Sequence, residues 1–314
     1  MANIWYIQVN RHCNNSCHFC SNPSNGNNIS YERGIELIDG FIKSWYRGII
    51  FTGWEPTLSP DLPKWIKYTV EKGIENRMIS NGMMCSDLHF MKRLSDSWLE
   101  LVHFSVFSCH EEVHDFLSNT PWSWKKLMYS ISNALHLWVR VQINTVINHY
   151  NEWHLDKTVR FLVRHFPKIQ HYVWNNLDPE MMRKTDIAWS TLPNFDCFRD
   201  SLLEAMKFLE STGRTFRAEK IPLCYIPWFE WASTETRKMV KSEERRIHFL
   251  DFRETIHEKN RDFEHEKSGK CRECDLDSIC SWIYEHKKYF DFVKVYPRKL
   301  KIEEKREIVR KIKS

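Results

Sequence analysis

The sequence lacks any long apolar run. None of its stretches approaches the roughly 20 consecutive apolar residues that a membrane-spanning helix needs. The N-terminal segment MANIWYIQVN also lacks the basic flank, the apolar stretch and the cleavage site of a secretory signal peptide. We therefore expect a cytoplasmic protein that does not act on a membrane.

Glycine is scarce as well, with nine in 314 residues. Each glycine at the end of a strand is therefore more informative than usual. Hydrophobic residues make up 42% of the chain, which is enough to bury the core of one large domain, or of one domain with an appendage. No internal repeat or low-complexity segment is evident, so the composition indicates a globular protein.

Cysteine, in contrast, is plentiful, with ten residues. Disulfide scaffolds are typically short secreted chains, whereas this chain is long and clusters its cysteines at two tight sites. Metal binding therefore explains the cysteines better than disulfides do.

The net charge of +5 is unevenly spread, because residues 294–314 carry nine Lys or Arg against three Glu. One interpretation of this basic tail is a solvated, partly helical end with Ile308, Val309 and Ile312 packed on the body. The other is a docking site for an acidic partner, either nucleic acid or an acidic peptide.

Strand-like and helix-like segments alternate over the first half of the chain. Six strand-like runs lie at residues 4–9, 48–53, 75–80, 101–107, 139–147 and 169–174. The first five precede helix-compatible segments at residues 32–46, 61–73, 86–98, 121–137 and 152–166. This alternation is typical of an α/β fold with parallel strands and helical crossovers. Ligands of such folds collect at the carboxyl ends of the strands.

Three cysteines, Cys13, Cys17 and Cys20, follow the first predicted strand in the segment RHCNNSCHFCSN. A cubic four-iron cluster normally takes four thiolates, so three thiolates leave one iron without a protein ligand. Structural zinc also takes four ligands, and the spacing C-x3-C-x2-C fits no common zinc pattern. The loop therefore indicates a cluster with one open iron.

This loop resembles the signature of the radical S-adenosylmethionine (SAM) superfamily. The resemblance covers roughly residues 4–175 and implies an α/β fold built as a partial (β/α)6 TIM-like barrel with a C-terminal extension. It also implies that Cys13, Cys17 and Cys20 hold a [4Fe-4S] cluster. In the family, the amino and carboxylate groups of SAM chelate the open iron of that cluster.

Further segments match the family in order along the chain. Residues 53–58, GWEPTL, resemble the GGEPTL segment whose backbone binds the SAM amino group, although Trp54 replaces the second glycine. Residues 80–82, SNG, resemble TNG, which lies near the ribose and methionine portion of SAM. Polar residues of the fourth and fifth strands often supply further contacts. The resemblance thus implies a SAM-binding set of Gly53, Trp54, Glu55, Pro56, Ser80, Asn81, Ser105 and Asn144.

The segment FSCHEEVHDFLSN after the fourth strand offers candidates for proton transfer at the barrel mouth. Histidine titrates near neutrality, which favours His114 with its neighbour Asp115. The structural alternative is that Asp115 caps or orients the next loop. Isolated cysteines are usually buried small apolar residues, but Cys109 lies near the presumed active face. The candidate catalytic residues are therefore His114, Asp115 and Cys109.

A second set of cysteines lies in the C-terminal third. Cys271, Cys274 and Cys280 are spaced C-x2-C-x5-C, and Cys224 lies upstream. The pattern resembles the auxiliary-cluster extensions called SPASM and twitch domains, although Tyr284 stands where a SPASM pattern continues with cysteine. The resemblance implies one auxiliary [4Fe-4S] cluster held by these four cysteines. Zinc bound by the same four thiolates is the alternative.

These features predict three segments along the chain. Residues 1–212 form the radical SAM barrel, residues 213–293 form the auxiliary-cluster region, and residues 294–314 form the basic tail.

The resemblance implies an enzyme that cleaves SAM reductively to a 5′-deoxyadenosyl radical, which abstracts hydrogen from the substrate. The electron would come from a donor such as flavodoxin or ferredoxin. Because auxiliary-cluster extensions are frequent in maturases of ribosomally synthesised peptides, a peptide is the first candidate substrate. A small molecule such as a nucleotide or sugar precursor, and an RNA or protein, are alternatives. Outside the enzyme class, the alternative is a metal-stapled binding module.

Overall fold

A computed structural model describes residues 4–20, 26–44, 47–179, 182, 184–241, 245–250, 255–258, 267–282 and 294–313. Within these residues, nine strands form one sheet in the order β7-β6-β5-β4-β3-β2-β1-β8-β9. In chain order the strands are Ile4–Asn10, Gly48–Gly53, Glu75–Ser80, Leu101–Ser105, Arg140–Ile147, His171–Asn176, Thr215–Glu219, Arg245–His248 and Thr255–Glu258. Strands β1 to β8 pair in parallel, and β9 pairs antiparallel with β8. The sheet is therefore a parallel half-barrel with one antiparallel edge strand.

The helices lie between the strands. Helices α1 to α10 are Tyr31–Lys43, Leu62–Glu71, Leu88–Asp96, Glu111–Ser118, Ser123–His136, Leu155–His165, Asp186–Trp189, Phe195–Ser211, Thr234–Lys241 and Ile302–Lys313. Polar side chains begin several of them. Ser30 accepts a hydrogen bond from the N–H of Arg33 at the start of α1, and Asp87 accepts one from the N–H of His89 at the start of α3. Such N-caps satisfy backbone donors that have no partner within the helix.

The two faces of the sheet have different characters because successive side chains of a strand point to opposite sides. In β1, the buried Trp5, Ile7 and Val9 belong to the same apolar cluster as Leu37 and Phe41 of α1. The alternate positions line a cavity of about 190 Å³ inside the half-barrel, whose walls include Tyr6, Arg77, His103, Gln142 and Arg217. The concave face is therefore polar and the convex face is the hydrophobic core.

The fold class and the rhythm of the first six strands predicted from the sequence are confirmed. Each of the six strands is present within a few residues of its predicted bounds. The predicted helix over residues 121–137 is present as α5, but a separate helix, α4, precedes it. The sheet extends beyond the predicted pattern by three strands, β7, β8 and β9. The 17-residue helix α8 was also not predicted.

The basic tail folds onto the body. Ile308 and Ile312 of α10 are buried, and α10 packs against α9 and the turn at Glu230–Ala232. This packing agrees with the first interpretation of the tail, and an acidic partner stays a prediction. No helix in the described ranges is long and apolar enough to cross a membrane.

Candidate active site

The first cysteine loop follows β1 and is held by the end of α4. The N–H groups of Ser16 and His18 donate to the carbonyls of Ser118 and Leu117, each at 3.1 Å. Cys13, Cys17 and Cys20 are all partly exposed. The loop therefore presents three thiols at the carboxyl edge of the sheet on a backbone fixed by a neighbouring helix.

Cys13 is a partly buried thiol whose sulfur has two hydrogen-bond donors. Burial raises its pKa to about 11, although the N–H of Asn15, at 3.3 Å, and the side-chain amide of Asn81, at 3.5 Å, donate to its sulfur. A metal that binds this sulfur must displace the proton. The two N–H donors already oriented at the sulfur suit a thiolate ligand.

Gly53 ends β2 in a conformation that suits glycine. Its φ is +124°, and a Cβ on this residue would lie 2.5 Å from the carbonyl oxygen of Asn10. The next residue, Trp54, donates its N–H to the same carbonyl at 3.3 Å, and its indole stacks beneath the Arg11 guanidinium, 4.0 Å from the ring centroid. Close packing of the ends of β1 and β2 thus fixes the backbone of the GWEP segment.

Glu55 links three parts of this edge. Its carboxylate is fully buried and accepts hydrogen bonds from the Thr57 hydroxyl at 2.6 Å, the Ser80 hydroxyl at 2.8 Å and the Asn81 N–H at 2.7 Å. Its own N–H donates to the carbonyl of His12 at 3.1 Å. Burial raises the pKa of Glu55, and the hydrogen bonds oppose that shift. The Glu55 carboxylate therefore holds the GWEP segment against the SNG turn.

The SNG turn after β3 lies against the cysteine loop. The Asn81 side-chain amide donates to Asn14 at 2.8 Å, and its oxygen accepts the N–H of Met83 at 2.9 Å. Gly82 has a φ of +85°, and a Cβ there would lie 2.7 Å from Leu127. The structure thus brings together the cysteine loop and the segments containing Gly53, Glu55, Pro56, Ser80 and Asn81.

Ser105 and Asn144 are paired neighbours in the register of β4 and β5. His103 and Gln142 line the inner cavity. Because Ser105 and Asn144 each lie two residues further along the same strands, they share the concave face. The side-chain oxygen of Asn144 accepts a hydrogen bond from the side-chain amide of Asn175 in β6. The sequence analysis missed Asn175, although the polar end of the strand HYVWNN was the available signal.

The candidate catalytic residues are mostly engaged in local structure. Asp115 accepts hydrogen bonds from the N–H groups of Trp122 and Trp124 and from the Ser123 hydroxyl, each at 2.7 Å. His114 is buried beneath the loop, accepts the N–H of Phe107 at 3.2 Å and has a pKa lowered to about 4 by burial. These contacts match the structural alternative for Asp115.

Cys109 lies near α6 rather than at the cysteine loop. It is half-buried, its N–H donates to the Thr158 hydroxyl at 3.2 Å, and burial raises the pKa of its thiol. A thiol with a raised pKa is a weaker nucleophile at neutral pH, because less of it is thiolate. A catalytic role for Cys109 therefore stays a prediction.

The second cysteine set converges on one small cavity. Cys224, Cys271, Cys274 and Cys280 all line a space of about 20 Å³ together with Trp282 and Tyr296. Burial raises the pKa of Cys224 to about 12, and the other three cysteines add to that shift. The N–H of Arg298 donates to the Cys274 sulfur at 3.3 Å. Four thiols from two distant chain segments thus surround one point.

The chain that follows the second set closes over it. The Arg298 guanidinium pairs at 3.1 Å with Glu230, which is 1% exposed, and the N–H of Leu300 donates to Asp275 at 2.8 Å. The Tyr225 hydroxyl donates to the carbonyl of Lys294 at 2.7 Å. The start of the basic tail is therefore part of the structure around the four cysteines.

Neither cysteine set has the geometry of a single-ion site. Among the described residues, no three His, Cys, Asp or Glu side chains lie together in a way that holds one metal ion. Tetrahedral zinc draws four sulfurs to about 2.3 Å from one centre. A cubic cluster instead carries its thiolates on separate irons, so the sulfurs that hold it do not meet at one centre.

The fold and this edge define an α/β half-barrel enzyme with a three-cysteine loop after its first strand. Residues 7–162 match the radical SAM superfamily. The chain belongs to that superfamily, whose members use SAM and a [4Fe-4S] cluster.

Curated relatives are similar to less than half of the chain in the two cases that follow. An AdoMet-dependent heme synthase from Nitratidesulfovibrio vulgaris is 28% identical over 149 residues, which cover 46% of this chain and 40% of that protein. A GTP 3′,8-cyclase from Aliarcobacter butzleri is 26% identical over 148 residues, 45% of each chain. The match therefore spans less than half the length of either relative.

Solved structures extend the likeness of fold beyond the barrel. SuiB from Streptococcus suis, bound to S-adenosylmethionine, has a TM-score of 0.64 at 15% identity over 89% of this chain and 72% of that chain. The enzyme anSMEcpe, with bound AdoMet and the Kp18Cys peptide, has a TM-score of 0.66 at 13% identity over 92% and 94%. At such identities the comparison establishes a shared fold.

Proposed function

We propose that this protein cleaves SAM reductively at a [4Fe-4S] cluster held by Cys13, Cys17 and Cys20. The observation that carries the proposal is the contact of Asn81 with both the Cys13 sulfur and, through its main chain, the buried Glu55. These bonds join the cysteine loop to the GWEP and SNG segments at one edge of the sheet. That edge is where parallel α/β folds bind their ligands.

The residues of this chain would hold and orient the cofactor. The backbone of residues 53–56 would bind the SAM amino group, and Ser80, Asn81, Ser105 and Asn144 would contact its ribose and methionine portion. When bound, the cluster supplies one electron to the sulfonium, which yields methionine and a 5′-deoxyadenosyl radical. The electron would come from flavodoxin or ferredoxin. The concave face would then orient the target C–H bond and exclude water.

The test is formation of 5′-deoxyadenosine by anaerobically reconstituted protein with dithionite. Intact protein should produce it, and Cys17→Ala should abolish it, because the cluster then loses one of its three ligands. Cys197→Ala is the matched control, since Cys197 is exposed and isolated. Undiminished yield from Cys17→Ala would refute the proposal.

For the substrate we propose a peptide. SuiB, whose fold resembles this one, has been solved bound to its precursor peptide, with a TM-score of 0.57, and anSMEcpe has been solved with peptides. A small molecule is the second candidate, because the relatives include a heme synthase and GTP 3′,8-cyclases. Candidate substrates with deuterium at the target carbon separate the two. Deuterium should appear in 5′-deoxyadenosine with a peptide substrate; transfer from a nucleotide or porphyrin alone would favour the second candidate.

We further propose that residues 213–293 form an auxiliary-cluster region, with the second [4Fe-4S] cluster held by Cys224, Cys271, Cys274 and Cys280. The convergence of these four thiols around one cavity supports it. Four protein thiolates leave no iron for SAM, so this cluster would bind substrate or carry electrons. Zinc at the same four thiolates remains the alternative that metal analysis tests.

A further inference from the structure

Tryptophan is unusually common in this chain, and it occurs where the backbone favours glycine. The chain has 14 tryptophans and nine glycines, although glycine makes up about 7% of average proteins. Seven described residues other than glycine have a positive φ. Five of these are tryptophans: Trp98, Trp122, Trp138, Trp228 and Trp282. The left-handed region crowds a Cβ atom, so bulky residues rarely adopt it.

Four turns from a helix into a strand allow an internal comparison. The residue after the helix cap is Gly73 after α2 and Gly213 after α8, each with a φ of +70°. It is Trp98 after α3 and Trp138 after α5, with φ values of +67° and +62°. In all four turns the N–H of the following residue donates to the carbonyl five residues earlier, at 2.9 to 3.1 Å. The same backbone motif, normally closed by glycine, thus carries tryptophan twice.

Two further tryptophans follow proline in tight turns. Trp122 follows Pro121, and the N–H of Ser123 donates to the carbonyl of Thr120 at 3.4 Å. The N–H of Phe229 likewise donates to the carbonyl of Ile226 at 3.0 Å across the turn that contains Trp228, which also follows a proline. With φ values of +67° and +73°, both tryptophans occupy the third position of a type II turn, where glycine is the usual residue.

The side chains of four of these five tryptophans contribute little packing, whereas Trp282 is buried. Trp98, Trp122, Trp138 and Trp228 are 72%, 60%, 85% and 65% exposed. Tryptophan is usually kept for the large apolar area that it buries, as it is at Trp65 and Trp174, which are buried in the core and have no positive φ. The chain therefore contains two kinds of tryptophan position, and one of them has the properties of glycine positions.

We propose that the cell that encodes this protein inserts glycine at positions 54, 98, 122, 138, 228 and 282, because the codon at each is UGA. UGA is read as tryptophan in one variant genetic code and as glycine in another, whereas UGG specifies tryptophan in both. A UGA codon translated with the first code therefore gives tryptophan at a position where a cell that uses the second code inserts glycine. Position 54 joins the set because Trp54 interrupts a segment that otherwise resembles GGEPTL. Its indole N–H is also buried without a hydrogen-bond partner among the described residues.

Glycine at two of these positions changes the proposed cofactor sites. At position 54 it removes the indole from the backbone that would bind the SAM amino group. At position 282 it removes the indole that lines the cavity between the four cysteines. That cavity, at about 20 Å³, is little larger than the space one water requires. At five of the six positions the inference stands on backbone geometry, and at position 54 it stands on the resemblance of GWEPTL to GGEPTL. It does not depend on the proposed function, and glycine at position 282 provides room for the proposed auxiliary cluster.

The direct test is peptide mass spectrometry of the protein purified from the cells that encode it, together with the sequence of the gene. We expect UGA codons and glycine masses at the six positions, with UGG codons and tryptophan masses at Trp65 and Trp174. Tryptophan in native peptides that span positions 98 and 138, or UGG codons there, would overturn the proposal.

A stability comparison tests the geometric argument separately. In recombinant protein, Trp98→Gly and Trp138→Gly should each raise the thermal midpoint by about 2 °C, because glycine relieves the left-handed strain. Gly73→Trp and Gly213→Trp, at the equivalent turns, should lower it. Trp65→Gly is the control for a core tryptophan and should destabilise strongly. A lower midpoint in both Trp98→Gly and Trp138→Gly would contradict the assignment of these positions to glycine.

Discussion

The carboxylate of Glu55 and the main-chain N–H of Asn81 are joined by a 2.7 Å hydrogen bond between the ends of two neighbouring strands. The Asn81 side chain in turn donates to the Cys13 sulfur at 3.5 Å. One buried carboxylate therefore sets the position of the SNG turn against the cysteine loop. A change at Glu55 should therefore affect the surroundings of the Cys13 sulfur, to which Glu55 makes no hydrogen bond.

We expect Glu55→Ala to lower the free energy of unfolding by about 3 kcal/mol. The substitution leaves the Thr57 and Ser80 hydroxyls and the Asn81 N–H buried without their acceptor, and such unpaired groups cost about 1 to 3 kcal/mol each. Urea unfolding measures the loss. Glu36→Ala is the control, because Glu36 forms only an exposed pair with Arg33, which contributes less than about 1 kcal/mol. Equal losses in the two variants would contradict the role of Glu55.

Gly53→Ala should destabilise the protein by at least about 1 to 2 kcal/mol, the cost of a Cβ in a region that only glycine favours. The added Cβ would lie 2.5 Å from the Asn10 carbonyl, so the ends of β1 and β2 must move apart. The matched control is Gly40→Ala in α1, where no atom lies within 4 Å of the added Cβ. That control should gain up to about 1 kcal/mol from helix propensity. Similar effects at both glycines, measured by urea unfolding, would count against the prediction.

Acidification should destabilise the protein through His103. Burial, helped by the charge of Arg77 and by His171, lowers its pKa to about 3 from an ordinary 6.5. The folded state therefore resists protonation that the unfolded state accepts, so stability is complete above pH 6.5 and falls as the pH drops toward 3. The loss from this group is about 1.4 kcal/mol per pH unit.

Urea unfolding at pH 7 and pH 5.5 measures this dependence. His103→Gln should remove the share that belongs to His103. The remainder belongs to other buried histidines, because burial also lowers the pKa values of His114, His154 and His171 to about 4. A pH dependence identical in His103→Gln and the native protein would show that His103 titrates normally.

The sequence predicted most of the first six strands from the apolar residues of their convex faces, such as Trp5, Ile7 and Val9 in β1. Strand β7, TFRAE, was not predicted because its inward positions are Thr215, Arg217 and Glu219, which line the polar interior of the half-barrel. The sequence shows the charged residues of this strand, but it does not show that the sheet curves around them. Strand β8 was missed because RRIH begins with two arginines and shows no apolar alternation in the sequence.

The candidate site was predictable to the extent that function depends on local spacing. Both cysteine sets are contiguous motifs except for Cys224, whose approach to Cys271 depends on tertiary folding. The role of Glu55 was not predictable, because its partners Ser80 and Asn81 are 25 and 26 residues away in sequence. For Asp115 the sequence left a proton-transfer role and a capping role open, and only the structure shows its three bonds to the start of α5.

Removing two auxiliary ligands should halve the iron content. Anaerobically reconstituted protein should contain about eight irons and eight sulfides per chain, and Cys271→Ala/Cys274→Ala about four, on the basis of one cubic cluster per cysteine set. The variant should still form 5′-deoxyadenosine, because the first cysteine loop is intact, but lose or impair substrate conversion. Stoichiometric zinc with only four irons in the native protein would establish zinc at the second set.

The most direct test of the central claim is the electron paramagnetic resonance spectrum of the reduced Cys271→Ala/Cys274→Ala variant with and without SAM. Only the cluster at Cys13, Cys17 and Cys20 contributes to this spectrum, and its open iron should take the amino and carboxylate groups of SAM. We predict that added SAM changes the g-values of the cluster signal. A four-iron signal that SAM leaves unchanged would contradict the assignment of this edge as a SAM-cleaving site.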